Sequence, residues 1–141
     1  MTTEIIEKEL SYQIIQAAYE VHNQLGPGFL ESIYEEAMLR ELRSRGFLTE
    51  SQKRVPVYYK GQLIGEHILD LVVDEKIILE LKATAEIAPI HKQQALSYLK
   101  ATGLQLAIVI NFGSVRVQSV RVVNTIDTRE FASFASSRHS R

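Results

Sequence analysis

The sequence predicts an α/β (α+β) fold, a mixed β-sheet flanked by α-helices. Three observations lead there. Two segments with helical periodicity open the chain. Three strand-like segments follow with no helix between them. A further helix then leads to an intensely apolar strand, which implies a crossover within one mixed sheet. The chain has 141 residues, of which 45% are hydrophobic, enough for one domain with one sizeable core.

Each element has a local signal. Residues 4–24 space Ile6, Leu10, Ile14, Ala17, Ala18 and Val21 at helical intervals, and "LGPG" stops the run. A second helix is expected from about Leu30 to Arg45, with Ile33, Ala37, Met38 and Leu42 inward and Gly46 as its stop. Strands are expected over 54–61, 62–73 and 76–83, with a turn at Lys60-Gly61 and a hairpin loop at Asp74-Glu75-Lys76. A third helix should span Pro89–Thr102, packing through Ile90, Ala95, Leu96 and Leu99. The apolar strand 104–112 follows, then an alternating edge strand 114–123. The reading divides the chain into one domain, 1–123, and a fraying tail, 124–141.

Composition excludes some chemistry. There are no cysteines, so thiolate catalysis and cysteine-held zinc or iron–sulfur centres are ruled out. The N-terminal residues lack the pattern of a signal peptide, and no apolar run nears the ~20 residues that span a bilayer. The expectation is a soluble cytoplasmic domain with no membrane contact. The formal net charge of −1 argues against a strongly basic nucleic-acid binder.

The polar residues that break the strand pattern are the informative ones. "KIILELKA" (76–83) carries Glu80 and Lys82 inside an aliphatic run. Alternation puts both on the face opposite Leu79 and Leu81, so nothing need be buried unpaired. With a three-residue loop, Asp70 lies opposite Glu80, and Asp70, Glu80 and Lys82 share a face; a two-residue loop would slip the register by one. Leu69, Leu71, Val73, Ile77, Leu79 and Leu81 form a core stripe on the other. Two carboxylates ~4.5–5.5 Å apart at Cβ repel unless a proton or cation lies between them. A hard cation such as Mg²⁺ suits oxygen ligands. An ordinary ion pair at a solvent-facing edge accounts for the same pattern. On the third helix, His91, Gln94 and Tyr98 fall on one face, open equally to a capping histidine and a half-buried tyrosine. Glu31 sits in the first turn of the second helix, where the helix dipole alone favours it, with Tyr34 at i+3.

Together these residues resemble a known family. Gly28-Phe29-Leu30-Glu31-Ser32-Ile33-Tyr34 matches the signature that names the GxxExxY protein family, and "DLVVDEKIILELKA", "HKQQALSYLKATG" and "LAIVINFG" follow in its order. The resemblance runs from about Ala18 to Val123. That family is placed in the PD-(D/E)XK nuclease superfamily. The resemblance implies a restriction-endonuclease-like core with catalytic Asp70, Glu80, Lys82 and Glu31. It implies metal ligation by Asp70, Glu80, the Leu81 carbonyl and Glu31, and substrate contacts from Gln94, Tyr98, His91 and Tyr34. His22 is a weaker rim candidate. Residue 69 is Leu where the motif's name has Pro.

The function this implies is Mg²⁺- or Mn²⁺-dependent hydrolysis of phosphodiesters in nucleic acid, DNA ahead of RNA, with a homodimer as a further option. Lys92, Lys100, Arg116, Arg121, Arg138 and Arg141 are the candidate phosphate contacts. The rival reading is a catalytically inactive binding or interaction module that keeps the fold. A carboxylate-pair glycosidase ranks below both, because it leaves Lys82 without a role and the chain has no tryptophan.

Overall fold

A computed structural model describes residues 6–124. The element order is α1 (Lys8–Leu25), α2 (Glu31–Ser44), β1 (Thr49–Tyr59), β2 (Gln62–Val73), β3 (Ile77–Lys82), α3 (Pro89–Thr102), β4 (Leu106–Asn111) and β5 (Gln118–Val123). The five strands form one sheet in sequence order. Only the β3–β4 pair is parallel, and α3 makes that crossover. The expected tail lies almost wholly outside the described residues.

The sheet is covered on both faces. Ile14, Ala17, Ala18 and Val21 of α1 and Tyr34, Met38, Leu39 and Leu42 of α2 pack on Leu71, Val73, Ile77, Leu79, Leu81, Ile108 and Ile110. On the other face, Ala95, Tyr98 and Leu99 of α3 pack on Val55, Leu69, Val72, Ile78, Ala107 and Val109. The central parallel strands are therefore buried on both sides, which accounts for the unbroken apolar run of β4.

Helix boundaries follow their caps. Pro89 opens α3, where a missing N–H costs nothing. Gly103 closes it at φ 78, in the left-handed region. Three expectations about faces and extent need correction. Ile33 and Ile90 are exposed, and Tyr34 takes the inward place on α2 because its ring stacks on Phe112, with centroids 4.7 Å apart and planes 6° apart. β1 begins five residues earlier than expected, and β5 begins at Gln118, leaving Val115 and Arg116 in a loop. Leu69 does not share a face with Leu71. The β1–β2 ladder skips the Gln52–Asp70 rung, Gln52 adopts φ 53, and Leu69 and Leu71 lie in opposite core layers across that break.

The loop after β3 is held by one buried amide. Asn111 Oδ1 accepts from the Thr84 and Gly113 N–H groups at 2.9 and 3.1 Å, and its Nδ2 donates to the Thr84 carbonyl at 2.9 Å. This draws residue 113 against the backbone of residue 84. A Cβ on Gly113 would lie 2.3 Å from the Thr84 carbonyl oxygen, whereas one on Gly65 meets nothing within 4 Å. Gly113→Ala should therefore cost about 1–3 kcal/mol in urea unfolding through overpacking, with Gly65→Ala near neutral. Equal stability of the two variants would contradict the close approach.

Candidate active site

The β2–β3 hairpin sets the site. Its pairs are Val73↔Ile77, Val72↔Ile78 and Leu71↔Leu79, the register that brings Asp70 level with Glu80. Asp74 and Glu75 make this turn at φ 53 and 57, conformations Asp tolerates better than most residues. Asp74 also ties the turn to β1, accepting from Leu48 N–H at 2.9 Å.

Beyond Leu71↔Leu79 the ladder ends, and the Asp70 carboxylate takes over. Its Oδ2 accepts the Leu81 N–H at 2.8 Å. This fixes the half-buried acid beside β3.

Glu80 is 4% exposed, so its face does not meet solvent. α3 covers that face, a fact of packing that strand alternation does not carry. Lys82 lies 3.2 Å from Glu80 Oε2, and its side chain is 15% exposed. The ion pair is therefore real but is not at a solvent-facing edge. It leaves Glu80 Oε1 buried with no hydrogen-bond partner. An orphaned carboxylate oxygen in a core costs several kcal/mol unless a proton or cation meets it.

The electrostatics agree. Burial raises Asp70 to about 6, against the Leu81 N–H and Lys82, with Glu35 and Glu31 adding to the rise. Burial likewise raises Glu80 to about 7, with repulsion from Asp70 contributing and Lys82 opposing. Both acids are thus poised to hold protons, or to exchange them for a cation.

The remaining candidates divide. Tyr98 is buried on α3 close to the pair. Burial and the Glu80 and Asp70 charges push its phenol up to about 12, so it remains a hydrogen-bond donor. Glu31 is exposed at the start of α2 and acts on the acid pair through its charge. Among the described residues no three His, Asp or Glu side chains close on one point, so the side chains that fit a cation are the neighbouring Asp70 and Glu80. Gln94 is exposed one turn before Tyr98. His91 Nδ1 accepts the Ala88 N–H at 3.0 Å and so caps α3.

Two expectations are corrected here. Tyr34 does not face substrate. It is fully buried, and its hydroxyl donates to the Gly26 carbonyl and accepts from Phe29 N–H at 3.2 Å. Its role is to hold the loop in which Gly26 and Gly28 adopt φ 72 and 109, delivering Glu31 to the head of α2. His22 is likewise no rim residue, being nearly buried with Nε2 3.0 Å from the Ser114 carbonyl. Of the proposed phosphate contacts, Arg121 is engaged with Ser11 Oγ and the Ile6 carbonyl, while Arg138 and Arg141 lie outside the described residues.

Three contributors escaped the sequence reading. Glu35 lies one turn after Glu31 and biases Asp70 more strongly, while Gln52 Nε2 donates to both its carboxylate oxygens at 2.9 Å. The i, i+4 spacing from Glu31 is its signal. Asn111 pairs with Lys82 across β3–β4. As the single polar residue of an apolar strand, it shows the anomaly that marks Glu80. His67 packs edge-on against Tyr98 at 4.6 Å and has no local signal in the sequence.

With this geometry established, likeness to known proteins can be stated. A profile of the PD-(D/E)XK nuclease superfamily matches residues 8–123. The solved structure of SSO0001 superposes with a TM-score of 0.55 at 16% identity, over 94% of this chain and 64% of that one. The alkaline exonuclease LHK-Exo from Laribacter hongkongensis gives a TM-score of 0.49 at 13% identity, over 99% and 83%. At such identities the likeness to SSO0001 is one of fold, and this chain spans just under two thirds of its length. No curated protein matches the sequence.

The raised acids bear on stability. The folded state binds protons at Asp70 and Glu80 more tightly than the unfolded chain does, so the unfolded state holds fewer protons between about pH 4 and 7 and stability falls as pH rises through that window. Glu80→Gln should flatten this fall in urea titrations without divalent ions. Identical pH profiles for the two proteins would remove the buried carboxylate from the account.

Proposed function

The chain belongs to the PD-(D/E)XK nuclease superfamily, and from that premise we propose that it hydrolyses phosphodiester bonds in nucleic acid with a divalent cation, Mg²⁺ or Mn²⁺, held by Asp70 and Glu80. The observation that carries this reading is the buried, unpartnered Glu80 Oε1 beside an acid pair and a lysine. A surface ion pair needs no such oxygen, whereas a cation site does. Nucleases of this superfamily generally use divalent metal ions.

The residues have distinct parts. Asp70 and Glu80, with the Leu81 carbonyl, hold the cation, and Asp70 is oriented for this by the Leu81 N–H. A divalent cation supplies neutralisation of the phosphate and acidification of water. Lys82, tethered to Glu80, directs its ammonium to the negative charge that grows on the phosphate in the transition state. Tyr98, kept protonated by its surroundings, donates a hydrogen bond to a substrate oxygen. Gln94 lies outward of Tyr98 and meets the substrate beyond the reacting bond. Glu31 and Glu35 add negative potential that strengthens cation binding.

The reading takes DNA ahead of RNA, a cytoplasmic setting and membership of the GxxExxY group. A homodimer would supply cationic surface that this chain, at net charge −1, has little of. The second reading, a cation-holding module without catalysis, is favoured by the lack of a third ligating side chain at the pair among the described residues.

One set of assays separates them. Wild-type protein should cleave at least one of single- and double-stranded DNA and RNA, only with Mg²⁺ or Mn²⁺. Lys82→Ala should lower the rate by about 10²–10³-fold, the scale of removing one transition-state donor, while still binding Mn²⁺. Asp70→Asn and Glu80→Gln should lose both Mn²⁺ binding and cleavage. Intact cation binding with no cleavage of any substrate would establish the module instead.

A further inference from the structure

The β1–β2 hairpin is much longer than the sheet it belongs to. β1 pairs with β2 from Thr49↔Val73 out to Tyr59↔Gln62, but β2 pairs with β3 only at residues 71–73. From Lys53↔Leu69 outward the two strands form an arm that leaves the sheet at Asp70. Its base is packed, with Val55 and Leu69 buried and His67 against Tyr98. Beyond Pro56 and Glu66 it is bare, and Tyr58, Tyr59, Leu63 and Ile64 are 56–64% exposed. Exposed large side chains grouped at the end of a two-stranded ribbon call for a ligand.

We propose that this arm, residues 53–69, is a second contact for nucleic acid, stacking the bases of an unpaired strand on Tyr58 and Tyr59. The proposal rests on the nuclease reading for its ligand. Three features select that occupant. Arg54 is paired with Glu66 and Lys53 with Glu50, so Lys60 at the tip is the cation of the arm that no carboxylate offsets. An anionic partner is thus drawn to the tip, beside the tyrosines. Tyr58 and Tyr59 are successive strand residues and so point to opposite faces of the ribbon. One flat protein surface cannot cover both rings, but a flexible strand can follow them around the edge. The Lys60 ammonium lies over the Tyr59 ring, 5.4 Å from its centroid, and a base that stacks there would displace it onto a neighbouring phosphate.

The arm also sets a length. Seven or eight residues separate Asp70 from the tip, up to about 25 Å at ~3.3 Å per residue. At ~3.4 Å per stacked nucleotide this corresponds to roughly seven nucleotides between the acid pair and the tyrosines. An unpaired strand stretches beyond its stacked rise, so only one well below this length fails to reach both.

The test measures binding without cleavage. Fluorescence anisotropy with Mg²⁺ on the Lys82→Ala protein would compare labelled single strands of about 3 and about 15 nucleotides with a duplex of the longer length, lengths chosen to fall either side of the ~25 Å span. Tyr58→Ser/Tyr59→Ser should weaken binding of the long strand about tenfold or more, and Tyr58→Phe/Tyr59→Phe should restore it, since stacking needs the ring and not the hydroxyl. The short strand should not distinguish the variants. Equal binding of the long strand by the serine variant, or tighter binding of the duplex, would overturn the proposal. So would a parent that sediments as a dimer and a serine variant that sediments as a monomer, which would make the arm a subunit contact. If cleavage assays fail while tyrosine-dependent binding persists, only the nuclease reading falls; if cleavage stands while the variants bind alike, only the arm does.

Discussion

The hydrogen bond from the Leu81 N–H to Asp70 sits where the hairpin stops being a sheet. Three rungs of β2–β3 pairing end at Leu71↔Leu79. Past them, a side-chain carboxylate replaces the backbone acceptor that a longer ladder would supply. That exchange keeps β3 satisfied while β2 departs, and it turns Asp70 towards the neighbouring strand. It holds Asp70 within the acid pair at the point where the arm turns outward.

A central strand that carries a carboxylate gives up stability. β3 lies between β2 and β4 with helices on both faces, the setting in which an ionised side chain is most costly. Lys82 compensates one oxygen of Glu80 and leaves the other unpaired. The protein tolerates this because the surrounding shell is rigid. Asn111 clamps the loop beyond Lys82 through three hydrogen bonds, and the Tyr34–Phe112 stack fixes the start of α2 above the same end of the sheet. The restriction-endonuclease-like architecture thereby holds two mutually repelling acids in fixed positions.

The GxxExxY signature has a physical explanation in this frame. Gly28 adopts a backbone angle that residues with a Cβ avoid, Glu31 begins a helix with its charge towards the acid pair, and Tyr34 reaches back to pin the loop. Two of the three residues are therefore architectural and one is electrostatic. The motif is mostly the means of placing a single carboxylate.

The amino-acid sequence by itself determined the element order and the α3 boundaries, because each rests on local periodicity or on caps such as Pro89 and Gly103, while the hairpin register, open between two loop lengths, was decided by the pairing itself. It also determined which strand carries the anomalous charges, since alternation is a property of the strand alone. Burial of Glu80, the inward turn of Tyr34, the outward turn of Ile33 and the separation of Leu69 from Leu71 were decided only by tertiary structure. Each depends on what packs across from it: α3 over the Glu80 face, Phe112 beneath Tyr34, and a skipped rung opposite Gln52. Periodicity tells a residue which neighbours share its side, but whether that side meets water is set by segments distant in the chain.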